Sequence, residues 1–145
     1  MPFIRTLFDS VRRPEFEMGG IVGEPLEQLL EMQFRAQRAH YANAYPERDD
    51  WIVVADGQDV GNWLVAELPS ELRLIDVTLV NHERGKGIGT HLLKSLVEQA
   101  DRSSKPVVLH VEMRNPAQNL YRRFGFVEED QVGVYWRMTR QPEIG

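Results

Sequence analysis

The chain has 145 residues, 42% hydrophobic and 27% charged, which suits one globular domain long enough to bury roughly two-thirds of the surface its unfolded form exposes. Seventeen Lys and Arg against 22 Asp and Glu give a net charge of −5, which argues against general nucleic-acid binding through a basic surface; no segment approaches the apolar length that crosses a membrane, and zero cysteines exclude disulfides, thiolate metal sites and a cysteine nucleophile. Residues Met1 to Arg13 mix arginines with apolar residues but include Asp9 and lack a continuous apolar run, so no secretory signal is expected and the cytoplasm is the default location.

Ile4, Leu7, Phe8 and Val11 recur at helical spacing, predicting a short helix over residues 3–12 that Pro14 stops, with loop over 14–25. Pro25 opens a second helix whose face, Leu26, Leu29, Leu30, Phe34, Gln37 and Tyr41, persists until Pro46. The period then changes. Trp51 to Ala55 and Val60 to Leu68 read as strands joined at Asp56-Gly57, a tight hairpin signal. After a turn at Pro69-Ser70, Leu72 to Val80 is a third strand, running into a glycine-rich segment. Ile88, Leu92, Leu93, Leu96, Val97 and Ala100 share one face of a helix over about 88–101. Val107 to Met113 reads as an interior strand, residues 116–124 as a helix that Gly125 ends, and Phe126 to Glu129 with Val132 to Met138 as a final strand pair. The order is ααβββαβαββ, in a single domain over residues 1–145, without repeat or linker.

The segment between the third strand and the next helix is Arg84-Gly85-Lys86-Gly87-Ile88-Gly89-Thr90. Glycines at a strand-to-helix turn let main-chain N–H groups crowd around an anion, and the helix that follows directs its positive end to the same point. Arg84 and Lys86 add full charges, so the segment reads as a phosphate cradle. It is not a P-loop: the place of the first glycine holds Val80, and Lys86 is followed by Gly87 rather than Ser or Thr. Nor is it the dinucleotide fingerprint, because Gly85, Gly87 and Gly89 give G-x-G-x-G.

Arg84, Gly87 and Gly89 do fit Gln/Arg-x-x-Gly-x-Gly/Ala, and Asn115-Pro-Ala-Gln-Asn-Leu-Tyr-Arg-Arg-Phe-Gly-Phe126 fits Asn-x-x-Ala-x-x-Leu-Tyr-x-x-x-Gly-Phe. With both motifs in order, separated by one helix and one strand, the chain resembles the GNAT superfamily of N-acetyltransferases over about residues 26–138. The resemblance implies an α+β fold with a mixed, mainly antiparallel sheet and helices on both faces. It also implies acetyl-CoA as co-substrate, bound by Val77, Leu79, Arg84, Gly85, Lys86, Gly87, Ile88, Gly89, Thr90, Asn115 and Tyr121, with no metal. Family members begin with a strand, whereas here the helical pattern starts almost at Met1. Either the first strand is missing or reduced to Pro2 to Arg5, or the start of the sequence is misassigned. The strand near Trp51 would then be a bare edge, which another chain, the opposite end of this one or a homodimer contact is expected to cover.

By the same resemblance, strands before the glycine segment and after the next helix splay apart. A main-chain N–H at Leu79 would hold the developing oxyanion of the thioester, and Tyr121 would protonate the departing thiolate. A phenol of ordinary pKa about 10 facing a thiol of about 8.5 is mismatched by only a couple of kcal/mol. Asn115 either bonds the cofactor or caps the helix opened by Pro116. For the base that takes the amine proton, Asp76 ranks first, Glu112 second and His110 third. Asp76 is expected to share a face with Leu74 and Thr78, and His110 one with Glu112. Freeing a lysine-type amine at pH 7 costs about 4.6 kcal/mol against about 1.1 for an α-amine, so an α-amine, or a polyamine-like group in an acidic pocket, asks least of a weak base. Phe34, Tyr41 and Tyr135 are candidates for the acceptor cavity. The expected activity is acetyl transfer to a small-molecule or peptide amine by direct attack; the alternative is a non-catalytic acyl-CoA-binding or protein-interaction module.

Overall fold

A computed structural model of the chain describes residues 2–80 and 87–143. Its elements are α1 (Pro2–Met18), α2 (Gly23–Ala44), β1 (Asp49–Ala55), β2 (Gln58–Glu67), β3 (Leu72–Leu79), α3 (Ile88–Ser103), β4 (Val107–Glu112), α4 (Ala117–Arg123), β5 (Val127–Val132) and β6 (Tyr135–Arg140). The strands form one sheet in the order β1-β2-β3-β4-β6-β5. All neighbours are antiparallel except β3 and β4, the pair joined through α3, as a parallel connection requires a crossover.

The order of elements is as the sequence predicts, with two corrections. α1 does not stop before Pro14 but runs through it to Met18. Pro14 and Ser10, whose carbonyl Pro14 leaves without a helical donor, are both exposed, so solvent takes the missing donor's place. The N–H groups of Gly19 and Ile21 then close on the Phe16 carbonyl, and α2 starts after four residues rather than a long loop. Second, β5 and β6 turn at Gly133, with φ of 61°, so pairing extends to Val132↔Tyr135, beyond the expected break after Glu129. As expected, no strand precedes α1 among the described residues: Pro2 to Arg5 belong to the helix, and β1 is a sheet edge. Between β1 and β2, Asp56 and Gly57 have φ of 52° and 76°, the left-handed pair of a type I′ hairpin turn.

Residues directly opposite on antiparallel strands share a face, which sorts the sheet into two. Trp63, Leu72, Leu74, Val107, Leu109, Val111 and Met138 pack with Leu93, Leu96, Val97 and Ala100 of α3, Tyr121 of α4 and Phe126. On the other face Leu64, Ala66 and Val108 are buried, as are Ile4 and Leu7 of α1 and Leu26 and Leu30 of α2. Arg13 to Glu27, at 2.7 Å, and Arg5 to Glu31 tie α1 to α2, and Phe8 meets Phe34 edge-on at 5.3 Å.

Candidate functional site

β3 and β4 pair over three positions only, Leu72↔Val107, Arg73↔Val108 and Leu74↔Leu109, although β3 continues to Leu79 and β4 to Glu112. Beyond Leu74 the two strands part. At that point β3 also slips against β2: Val65 pairs Leu74 and Leu64 pairs Asp76, leaving Ile75 as the extra residue of a bulge. Bulges re-aim side chains and end pairing, and this one does both. It breaks the expected alternation of Leu74 with Asp76. Leu74 and Val77 lie on the α3–α4 face with Val65 and Trp63, whereas Asp76 and Thr78, opposite Leu64 and Asn62, lie on the α1–α2 face.

The Val80 N–H donates to Val60 of β2 at 2.8 Å, so strand alternation turns the N–H groups of Val77 and Leu79 toward the parting from β4. Gly87 has φ of 84° and precedes Ile88, the first residue of α3, with no side-chain cap among the described residues. The first intrahelical bond comes from His91 to the Gly87 carbonyl, 2.9 Å. The N–H groups of Ile88, Gly89 and Thr90 are thus the unsatisfied donors of a helix start, and a Cβ added at Gly87 or Gly89 would meet nothing within 4 Å. That geometry fits an anion approaching main chain. Arg84, Gly85 and Lys86 lie outside the described residues.

Tyr121 is buried in α4, its ring 5.8 Å from that of Phe126. Burial first, then the Asp76 charge, pushes its phenol up to about 12. Asn115 takes the capping role: its Oδ1 accepts from the Ala117 N–H at 2.9 Å. Gln118, which the sequence does not single out, is buried in a chain that is otherwise polar at that turn; its Nε2 donates to the carbonyls of Glu112 and Met113 at 3.2 and 2.5 Å, fastening α4 to the end of β4. Its position inside the Asn115 to Phe126 motif was the only available signal.

Asp76 is the most enclosed of the candidate bases. Burial raises its pKa, while a 3.4 Å hydrogen bond from Thr78, the Arg12 charge, the Val77 N–H and the Arg38 charge hold it back. Tyr41 of α2 is pushed far up by burial and by Asp76. The surroundings are therefore not acidic, since arginines from α1 and α2 both act on the carboxyl. Arg38 is ion-paired with Asp50, whose other oxygen accepts from buried Asn62 at 2.6 Å. Glu112 and His110 do share the Asp76 face, opposite Tyr135 and Arg137 of β6, and both are exposed. Burial, Arg73 and Arg137 lower the His110 pKa, and its Nδ1 lies 3.2 Å from Arg73 Nη1, a donor that the ring nitrogen meets as an acceptor. Tyr135 is exposed and Phe34 packs on Phe8; of these three cavity candidates, Tyr41 is the one that the Asp76 charge acts on. Two clefts, of about 370 and 340 Å³, lie elsewhere, beside Phe124 and Arg140 and between Trp63 and Leu96.

The arrangement joins a parted strand pair, a helix start open to an anion, a protonated phenol and a carboxylate of raised basicity. Comparison with known proteins bears on the family and the fold. The acetyltransferase (GNAT) domain family matches residues 47–128. An uncharacterized N-acetyltransferase of Methanocaldococcus jannaschii is 26% identical over 151 aligned positions, 87% of this chain and 67% of that protein. The solved PaiA N-acetyltransferase of Thermoplasma acidophilum, in complex with coenzyme A, superimposes with a TM-score of 0.68 at 18% identity over 96% of this chain and 90% of its own. The ribosomal-protein-S18-alanine N-acetyltransferase of Escherichia coli does so with 0.62 at 16%, over 74% and 77%.

Proposed function

The chain belongs to the GNAT acetyltransferase family, and from that premise we propose that it moves an acetyl group from acetyl-CoA to a primary amine by direct attack. The observation that carries the reading is the parting of β3 from β4 after Leu74 and Leu109, with the start of α3 at one end and Tyr121 beneath. The coenzyme A complex of the Thermoplasma protein supports the same cofactor here. Acetyl-CoA supplies an activated acyl group. The N–H groups of Ile88, Gly89 and Thr90, with Gly87 opening the way, receive its diphosphate, and Arg84, Gly85 and Lys86 complete that cradle.

Asp76 takes the amine proton, directly or through water, with Glu112 and His110 as second and third candidates. The main-chain N–H at Leu79 holds the negative charge that grows on the acyl oxygen, and backbone near Val77 lies along the cofactor. Tyr121 gives its proton to the departing sulfur. A phenol near 12 is protonated at every physiological pH, which suits a donor. The outer edge of β1 is separated from the parting by three strands, β1, β2 and β3, and bears on assembly rather than on chemistry.

Tyr121→Phe tests the assignment. Cofactor affinity, read as the rise in Tm with acetyl-CoA, is expected to persist while turnover falls by about 10²-fold or more. Equal turnover would remove Tyr121 from the mechanism, and a protein that binds acetyl-CoA but acetylates no amine would be the binding module instead.

A further inference from the structure

The face that carries Asp76 is covered only in part. Leu64, Ala66 and Val108 are buried on it, but His110, Glu112 and Tyr135 are exposed, so the floor from β3 across to β6 is an open trough beside the C-terminal end of α2. A row of basic side chains crosses that floor. Arg73 sits next to Val108, and His110 is opposite Arg137. Arg73 Nη1 reaches His110 Nδ1 at 3.2 Å, and its guanidinium stands 6.0 Å from the centre of the Tyr45 ring. Arg48 joins from the connection to β1: its Nη1 donates to the Tyr45 carbonyl at 3.3 Å, and its Nε is buried without an acceptor among the described residues.

Acids stand beside this row, Glu112 opposite Tyr135 among them, yet one of its cations is left without an ion pair among the described residues. Glu71 is 3.0 Å from Arg73 Nε, but Arg137 makes no ion pair among the described residues, and Asp130, opposite it in register, spends Oδ1 on the Gln131 N–H at 2.9 Å. Burial first, and then Arg73 and Arg137, lower the His110 pKa. We propose that the trough selects amine acceptors bearing a second, anionic group, a carboxylate or phosphate, which Arg73, His110 and Arg137 hold while the amine reaches Asp76 at the mouth of the parted strands. The proposal rests on the acetyl-transfer reading and names its acceptor class.

Spacing sets the shape of that acceptor. Asp76 is three residues beyond Arg73 on one strand, and at about 3.3 Å per residue the amine and anion would stand roughly 7–10 Å apart. That is too far for the carboxylate of an α-amino acid and right for an ω-amino acid, a dipeptide or an aminoalkyl phosphate. Guanidinium groups favour such oxyanions, which they grip in pairs of parallel hydrogen bonds. A polyamine would instead face Arg12, Arg38, Arg73 and Arg137 with charges of the same sign.

The test compares 5-aminopentanoate, its amide, 4-aminobutyl phosphate and spermidine at saturating acetyl-CoA. We expect one of the two anionic acceptors to exceed both the amide and spermidine about tenfold or more in kcat/KM, chiefly through KM; which one leads tells carboxylate from phosphate. Within Arg137→Gln the acid-to-amide ratio should fall to about one, and within Arg137→Lys part of it should return. Should Arg137→Gln fail to fold, inorganic phosphate in the unaltered protein should raise KM for the acid and not for the amide. Amide or spermidine matching the anionic acceptors overturns the proposal. If no amine turns over while acetyl-CoA still raises Tm, the acetyl-transfer reading has failed, and calorimetric binding of 5-aminopentanoate against its amide then decides the trough alone: preferential binding of the acid upholds it and equal binding ends it.

Discussion

Asp76 is a carboxyl placed where the fold disfavours a charge. Burial raises its pKa more than Thr78, Arg12, Val77 and Arg38 lower it, so between the unfolded and folded values the native state binds the proton and the unfolded chain does not. Stability is therefore greater below the unfolded value, near 3.9, and is lost as pH rises through the higher folded value. Asp76→Asn should raise Tm more at pH 7 than in acid, where the aspartate is neutral too and the gain should vanish. The same variant should lose about 10²-fold in kcat/KM and the acid limb of the pH profile, which the unaltered protein should show above the ordinary aspartate range. A variant with lower Tm at pH 7, or with an unchanged acid limb, would pass the role of base to Glu112 or His110. Tyr121, near 12, adds no alkaline limb within the usual assay range.

At the scale of elements the decisive object is β3, pressed on one side by β2 and released on the other by β4. Gly61 lies opposite Leu79, and a Cβ there would meet the Thr78 carbonyl and a Leu79 methyl, each at 2.6 Å. Gly61→Ala should thus push the end of β3 into the parting, lowering stability by about 1–3 kcal/mol and turnover more than cofactor binding at the cradle; thermal melts and steady-state kinetics measure both, and normal kinetics in a destabilised protein would detach Leu79 from the chemistry. Much of this element pattern was legible, because α2, α3 and the strands carry clean 3.6 and 2.0 periods, and Asp56-Gly57 writes its own turn. The bulge was not: Leu74, Ile75 and Asp76 alternate well enough on paper, and only the register against Leu64 and Val65 shows the slip. Nor did spacing reveal that Gln118 ties α4 to β4, or that Arg12 and Arg38 act on Asp76, since those neighbours come from elements distant in sequence; Arg73, three residues before Asp76, joins its face only through the bulge. Pro14 misled because a helix breaker is tolerated where the freed carbonyl is exposed.

For the molecule as a whole, the two ends of the sheet are treated differently. The β5 edge carries Glu128, Glu129 and Asp130, all exposed, a run of like charges that discourages another strand from adding there. The β1 edge reads Asp49-Asp50-Trp51-Ile52-Val53-Val54-Ala55, with Trp51 59% and Val54 58% exposed, and has no charge in its last five residues. No strand pairs with it on that side among the described residues, and we infer that a second copy covers it. Two β1 strands paired antiparallel about Ile52 would set Asp49 against Ala55 and Asp50 against Val54, keeping acids apart, whereas β1 against β5 would face acid with acid and leave an open chain rather than a closed pair. Sedimentation at micromolar concentration should show a dimer, Ile52→Lys should give a monomer, and Val127→Lys on the opposite edge should leave the dimer intact. A monomeric parent, or a dimer that persists in Ile52→Lys and dissolves in Val127→Lys, would move the contact to another surface.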